Sequence, residues 1–401
     1  MGGRWYGIDR TLIRVAAVVG IAELGFATVI PLLPLFLKER LGASATLVGV
    51  VVATFAAVET VFKTTWGSLA DRIGRRPVIV GGLLLSSVAP LLMTLLRHPW
   101  LFVPLRLVDG MGSAALWPVA AATMLDRAGG ERRATAMGTL NMFFLSGLAL
   151  GPALGLFVAG FLGGYTFGFY LASALLLIAA VLAIVVYRDP GAPSTAYQGA
   201  AETSAIGFIQ GVRGSPWLLP MLLVAFIQMF GVGLLAPILV IYAHEVVQLS
   251  DQWIGTLFLI IVLAVALASV PAGRLADRTG RSRSVGWGMV AASCGMWLLP
   301  LAGKGNLPLL AVAALLLGAS YAISSPAWLA LMSEAAPPGS TGMVMGASET
   351  AQGAGLVIGP LLGGILYDAL GPQAPFVGSA ALLSAGTILA VTILRRRQAS
   401  R

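Results

Sequence analysis

The chain has 401 residues, 58% of them hydrophobic and only 10% charged, with 25 Lys and Arg against 16 Asp and Glu for a formal net charge of +9. A mean hydropathy of +0.91 lies far outside the range of soluble globular chains, excludes a soluble enzyme, and predicts an integral membrane protein. The apolar runs are continuous and lack period-two alternation, which argues for an all-α helical bundle and against a β-barrel.

A membrane-crossing helix needs about 20 apolar residues. In chain order the predicted spans are 12–37, 45–66, 77–96, 99–125, 133–160, 164–187, 217–243, 252–272, 282–303, 307–334, 340–367 and 374–394, twelve transmembrane helices in all. Assigning the N-terminus to the cytoplasm places 19 of the 25 Lys and Arg residues on that side, including Arg4, Arg10, Arg14, Arg132, Arg133 and the tail Arg395, Arg396, Arg397 and Arg401. Lys38, Arg40, Arg97 and Lys304 fall outside, and Lys63 and Arg106 lie within or near the ends of spans. The excess of positive charge on cytoplasmic loops therefore predicts a multi-pass protein of the cell membrane with both termini cytoplasmic. The basic balance matches an anionic lipid leaflet and not nucleic acid, because no basic patch is interleaved with aromatics. Cys294 is the single cysteine and falls inside a span, so no intrachain disulfide can form and a buried, inert thiol is expected. The first apolar stretch is too long for a cleaved signal and is expected to be retained.

The charged segment "GSLADRIGRRP" at 67–77 nearly recurs as "GRLADRTGRSR" at 273–283, Asp71 aligning with Asp277 at an offset of 206. Pro31 aligns with Pro237 at the same offset, and Pro118 with Pro326 and Gly151-Pro152 with Gly359-Pro360 at 208. Four landmarks at one spacing predict a duplicated fold, with an N-terminal six-helix half over 1–187 and a C-terminal half over 217–401. Between them 188–216 is polar and rich in Pro, Gly, Ala and Ser, the composition of a flexible linker, expected on the cytoplasmic side.

The first of these segments resembles the signature between the second and third helices of the major facilitator superfamily, G-x-L-x-D-R-x-G-R-[RK], with Gly67, Leu69, Asp71, Arg72, Gly74, Arg75 and Arg76 in every fixed position. Asp277 and Arg278 stand in its weaker second copy. The resemblance implies the twelve-helix, two-half fold and a gating role for this motif. In the fifth span "GLALGPALG" is similar to the pattern that marks proton-coupled antiporters of this superfamily, G-x-x-x-G-P-x-x-G, through Gly147, Gly151, Pro152 and Gly155. Small residues four apart also simply let helices approach closely. In the fourth span "RLVDGMGSA" resembles R-x-x-Q-G-x-G, with Arg106, Gly110 and Gly112 matching and Asp109 where Gln is usual. An acid three residues along the same face can neutralise Arg106 locally.

Charged side chains in the hydrocarbon cost about 2.5–3.5 kcal/mol each on insertion scales, so each of Glu23, Glu59, Lys63, Arg106, Asp109 and Glu349 demands a reason. Glu59 and Lys63 are spaced as a helical pair with the acid first. Glu23 lies near the middle of the first span with no base in its own helix within a turn, and resembles the membrane-embedded acid of some drug/proton antiporters. Glu349 sits in a polar girdle with Ser348, Thr350 and Gln352, and aligns with Asn141 under the repeat. Trp117, Asn141, Phe144, Phe226, Gln228, Tyr321, Trp328 and Gln352 lie on helices that the resemblance places along the substrate path; aromatic side chains suit an adaptable apolar pocket.

No phosphate-binding loop, metal-ligand cluster or Ser-His-Asp set is present, so no enzyme activity, metal or cofactor is expected and a proton gradient would supply the energy. The expectation is a monomeric secondary transporter that exports amphipathic, hydrophobic or cationic small molecules in exchange for protons by alternating access. Glu23 is the first candidate for proton coupling, with Glu349, Arg106 and Asp109 as a coupling set and Glu59 and Lys63 beside them. The alternative is a proton symporter or facilitator of a polar metabolite such as a sugar or organic acid, with Lys63 or Arg106 holding its negative charge.

Overall fold

A computed structural model of the chain describes residues 10–128, 133–187, 217–336 and 341–399. The linker expected at 188–216 lies outside the described residues. The helices are α1 (Arg10–Leu35, continued by a π-helical turn Phe36–Arg40), α2 (Ala45–Ile73), α3 (Arg75–Leu95), α4 (Phe102–Ser113), α5 (Leu116–Ala128), α6 (Arg133–Leu162), α7 (Tyr165–Val186), α8 (Leu218–Leu235), α9 (Ile238–Glu245), α10 (Asp251–Thr279), α11 (Arg281–Leu298), α12 (Leu307–Ala335), α13 (Thr341–Leu370) and α14 (Ala374–Ala399). Eleven segments among the described residues are long and apolar enough to cross a membrane.

Eleven of the twelve predicted spans correspond to those segments. The fourth is two shorter helices, α4 of 12 residues and α5 of 13, and the sequence explains the break. Pro118 has no N–H to give the carbonyl of Ala114 four residues earlier. The backbone there turns tighter, Ala115 N bonding Gly112 O at 3.3 Å. Pro237 interrupts the seventh span between α8 and α9 for the same reason, and Ala236 N is shared between the carbonyls of Val232 and Gly233 at 3.1 and 3.2 Å.

The chain forms two compact units, one of Met1–Ala43 with Thr54–Ala201, the other of Ser44–Ala53 with Glu202–Arg401. In the first unit Val15, Val19, Leu83, Leu140 and Leu176 are among the buried side chains of the core. Leu218, Val224, Met289, Leu331 and Met332 are among those of the second. The ten residues Ser44–Ala53 belong to the second unit, where Asp368 of α13 caps the start of α2. Its carboxylate accepts Ala45 N at 3.2 Å, Thr46 N at 2.8 Å and Thr46 Oγ1 at 2.7 Å. Donors that a helix start leaves unsatisfied are met here by a side chain 322 residues away.

The repeat read from the sequence is present atom by atom within each unit. In the first, a Cβ on Gly110 would stand 2.8 Å from Phe55 O; in the second, one on Gly318 would stand 2.6 Å from Ile261 O. Gly82 meets Gly112 O and Gly288 meets Ser320 O in the same way, at 2.6 and 2.9 Å. Each unit also carries a Tyr–Glu bond at a span end, Tyr165 Oη to Glu39 Oε2 at 2.9 Å and Tyr367 Oη to Glu245 Oε2 at 3.0 Å. The acids are 206 residues apart, as the repeat requires.

Cys294 corrects one expectation, because it is exposed on its helix and not buried. An apolar thiol fits a surface that faces lipid as well as it fits a core. Removing the α2 cap by Asp368→Ala is expected to cost about 1 kcal/mol, seen as a lower thermal midpoint of the purified protein in detergent, whereas an unchanged midpoint would show that the cap contributes nothing.

Candidate transport site

Five of the six charges predicted within spans lie in the first unit, Glu349 being in the second. Arg106 and Asp109, one turn apart on α4, form an ion pair through Arg106 Nη1 and Asp109 Oδ2. Their side chains are 10% and 3% exposed. The face of Phe55 covers the guanidinium from α2, its ring centroid 3.9 Å from Arg106 Cζ, a cation–π contact in a site with little water. Ser86 of α3 bonds the Asp109 carbonyl at 3.0 Å, and Trp66 of α2 donates its indole N–H to Met111 O at 2.7 Å. Glu59 and Lys63 on α2 form the expected pair at 3.0 Å and are half-buried.

Glu23 on α1 has no ion-pair or hydrogen-bond partner among the described residues, and the charges that act on it are Glu59 and Lys63 of α2. Glu59 acts in turn on Arg106 and Asp109. One electrostatic cluster therefore runs across α1, α2 and α4. Two polar atoms within it, Arg106 Nε and Asp109 Oδ1, are buried without a hydrogen-bond partner, which is costly in a low dielectric and marks a group held for something other than packing.

The repeat tests whether the fold needs these charges. At 206 and 208 residues on, Glu23, Glu59, Lys63, Arg106 and Asp109 are replaced by Met229, Val265, Ser269, Ala314 and Leu317. The second unit makes the same helix crossings without any of the five charges. The cluster is thus additional to the fold, whereas Gly110 and Gly318, which permit the crossings, are kept in both.

The glycine pattern of the fifth span lies on α6 at its seam with α1. A Cβ on Gly147 would stand 2.8 Å from Leu24 N and 2.9 Å from Glu23 Cβ. One on Gly151 would stand 2.8 Å from Leu24 O, and one on Gly155 2.7 Å from Thr28 O. Pro152 stands in the same helix. In the second unit Gly355, Gly359 and Gly363 of α13 bring α8 equally close, with Gly355 meeting Phe226 O at 2.8 Å and Gly359 meeting Leu234 N at 2.8 Å. Close packing is common to both seams; adjacency to an acid is peculiar to the first.

At the signature the expected loop shrinks to one residue. α2 runs through Gly67, Asp71 and Arg72 to Ile73, Gly74 turns with φ +97°, and α3 begins at Arg75 and Arg76. Only glycine takes that backbone conformation readily. Gly280, at φ +89°, does the same between α10 and α11. Arg75 pairs with Asp126 at the end of α5, and Arg281 with Glu334 at the end of α12, so both copies tie the start of one helix to the end of another. The side chains of Asp277 and Arg278 lie outside the described ones.

The remaining candidates are scattered by unit. In the first, Trp117 packs edge-on to Phe144, ring centroids 5.0 Å apart, and Asn141 is exposed on α6. In the second, Phe226 stacks on Phe230 at 5.5 Å, Gln228 is half-buried and Tyr321 is exposed. Trp328 is in the core of that unit, its indole N–H buried without a partner. Gln352 bonds Ser348 Oγ at 3.1 Å and Glu349 is exposed on α13. Sequence reasoning missed Phe55, Ser86 and Trp66, since nothing in their local pattern announces a neighbour on another helix.

Gly151→Ala and Gly359→Ala are both expected to destabilise, by about 1–3 kcal/mol each, read as paired losses in thermal midpoint. A silent Gly359→Ala beside a damaging Gly151→Ala would show that the two seams are not equivalent.

The model of the Major Facilitator Superfamily matches residues 15–250 and 221–401. Among relatives, multidrug resistance protein 2 of Bacillus subtilis is 27% identical over 351 residues, covering 87% of this chain and 86% of its own length. Tetracycline resistance protein, class E, of Escherichia coli is 26% identical over 369 residues, covering 90% and 89%. The quinolone resistance protein NorA of Staphylococcus aureus is 31% identical over 172 residues, 43% of this chain and 44% of its own. The fold is shared with a peptide transporter, POT, at a TM-score of 0.80 and 17% identity over 98% of this chain and 95% of that one, and with the nucleoside transporter NupG at 0.75 and 12% over 96% and 99%. With its apolar helices and its duplicated halves, the chain belongs to the Major Facilitator Superfamily and is a multi-pass membrane transporter of small molecules, not an enzyme.

Proposed function

We propose that this transporter exports amphipathic, hydrophobic or cationic small molecules in exchange for protons, by alternating access of a site formed around the charge cluster of the first unit. The observation that carries this reading is Glu23, an acid in mid-span with no cation of its own, set against a glycine seam and beside two ion pairs. A carboxylate so placed is a group that gains by taking a proton or an organic cation, and cannot hold both. The names of the relatives, which report resistance to multiple drugs, tetracycline and quinolones, support a drug-like cargo. The signature around Gly74, with its Arg75–Asp126 and Arg281–Glu334 ties, is the proposed gating element at the end where α2 meets α3, and the charge of the loops supports cytoplasmic termini.

A symporter for an anionic metabolite fits less well. Both cations that would hold its charge are already neutralised, Lys63 by Glu59 and Arg106 by Asp109. Glu349 belongs to the second unit, and its proposed part is in coupling.

Purified protein in proteoliposomes with an imposed pH gradient is expected to move ethidium against the proton flow, and Glu23→Gln to lower that flux at least about tenfold and flatten its pH profile. Glu23→Gln with an unchanged pH profile would overturn the assignment.

A further inference from the structure

The second unit holds a cavity of about 50 Å³ between α9, α10, α12 and the first turn of α14. Its lining is apolar apart from Tyr242, whose hydroxyl is turned away to donate to Ala302 O at 3.2 Å. The lining runs from Ile254 to Ile261 on α10 and from Leu310 to Leu317 on α12. At 1.5 Å per residue the hollow is a slot about 10 Å long, parallel to the helices. One end lies within a turn of the helix starts at Asp251 and Leu307. The other is closed where Gly318 brings α12 onto Ile261 O. A slot of that length fits inside one leaflet, whose hydrocarbon is about 15 Å deep.

The repeat explains why the place is hollow. In the first unit Phe55, Phe102, Arg106 and Asp109 stand where the slot has Ile261, Leu310, Ala314 and Leu317. The aromatic pair of the wall is common to both halves, Phe36 with Phe169 at 5.4 Å and Tyr242 with Phe376 at 4.4 Å. Three of the four exchanges shorten a side chain, and the ion pair goes with them. What is polar and filled in one half is apolar and open in the other.

A void so lined stays dry. On the scale established for empty apolar cavities, 50 Å³ disfavours the unfilled state about eightfold. A solute arriving from water gains nothing further by burial, because the bilayer is as apolar as the slot. A lipid chain is already the medium around the protein, so an eightfold preference is enough to keep the slot occupied. Leu257, Phe258 and Ile261 are only half-buried, so the slot is not sealed along α10. Trp253, Leu301, Val312 and Val377, close in sequence to lining residues, are large apolar side chains left exposed, a surface that a bilayer covers. Gly305 N bonds Val247 O at 2.9 Å and sets the loop of exposed Lys304 at the mouth. Glu245 ends α9 and Asp251 begins α10 at the same end. Charges of both signs there match a zwitterionic head group.

We propose that this slot binds one acyl chain of a zwitterionic phospholipid, drawn from the leaflet opposite the Gly280 turn, and that the second unit is completed by it. The proposal is independent of the cargo and of its coupling to protons.

The test uses the full chain in vesicles of dioleoylphosphatidylcholine doped with the same lipid carrying a diazirine in mid-chain. After irradiation and digestion, label is expected on the slot residues Leu257, Phe258 and Leu317 as well as on Val377 and Ile388 of α14, which are exposed in any case. Ala314→Leu and Leu310→Phe each fill the slot, the second by copying Phe102 of the first unit. Both are expected to lower the slot label about eightfold and to leave the label on Val377 and Ile388 unchanged. In lipid-free detergent the unaltered chain gains thermal midpoint when dioleoylphosphatidylcholine is added back, and the filled variants gain less. A purely structural void predicts the same gain for all three chains.

A slot without label beside labelled Val377 and Ile388 overturns the proposal, and so does slot label that persists in the filled variants. Should Ala314→Leu fail to fold, Leu310→Phe carries the same comparison, and labelling of the unaltered chain decides by itself whether an acyl chain enters.

Discussion

Placing a charge inside a helix that crosses a bilayer costs more than most single interactions in a protein return, and this chain does it five times within one six-helix half. The arrangement of the first unit follows from that cost. Arg106 finds Asp109 one turn along and the ring of Phe55 above it; Lys63 finds Glu59 one turn back. Each pair is closed locally on its own helix, so neither depends on a distant partner for neutrality. Glu23 is the charge left over, and it is set where α1 and α6 are pressed together by glycines and where, among the described residues, the α2 pair is the charge that acts on it.

Duplication makes it possible to say which features serve the fold. The two halves share their helix crossings to the atom: the glycines that let α4 meet α2 and α3 recur where α12 meets α10 and α11, and the seam of α6 on α1 recurs as that of α13 on α8. They share the one-residue glycine turn of the signature and the Arg–acid tie beside it. They do not share the charges, for the second half has Met229, Val265, Ser269, Ala314 and Leu317 in the corresponding places. What is common is architecture, and what differs is chemistry. The glycine pattern resembling that of antiporters belongs to both groups, since it packs helices in each half and borders an acid in only one.

Much of this was legible from residue order because membrane helices are set by local composition. Eleven of twelve spans match helices, since apolar runs and their polar breaks are one-dimensional signals, although the second and eighth end seven residues early because their helices continue through the charged repeat. Both ion pairs were legible from helical spacing alone. The break at Pro118 was present in the sequence as a missing donor and is clear once the carbonyl of Ala114 is considered. What was not legible depends on how helices are rotated against one another. That Glu59 would lie within the field of Glu23, that Phe55 would cover Arg106, and that Asp368 would cap α2 from 322 residues away are products of packing. Cys294 failed for the same reason, because position within a span says nothing about which side of the helix faces outward.

The central claim is that the five charges are there for transport and not for the fold, and it can be tested by giving the first half the residues of the second. A variant carrying Glu23→Met, Glu59→Val, Lys63→Ser, Arg106→Ala and Asp109→Leu should be monodisperse in detergent with a thermal midpoint at or above that of the original chain, and should show no proton-coupled movement of ethidium in proteoliposomes. Collapse of the fold would show that the charges are structural, and retained exchange would show that the proton is carried elsewhere; either result contradicts the account.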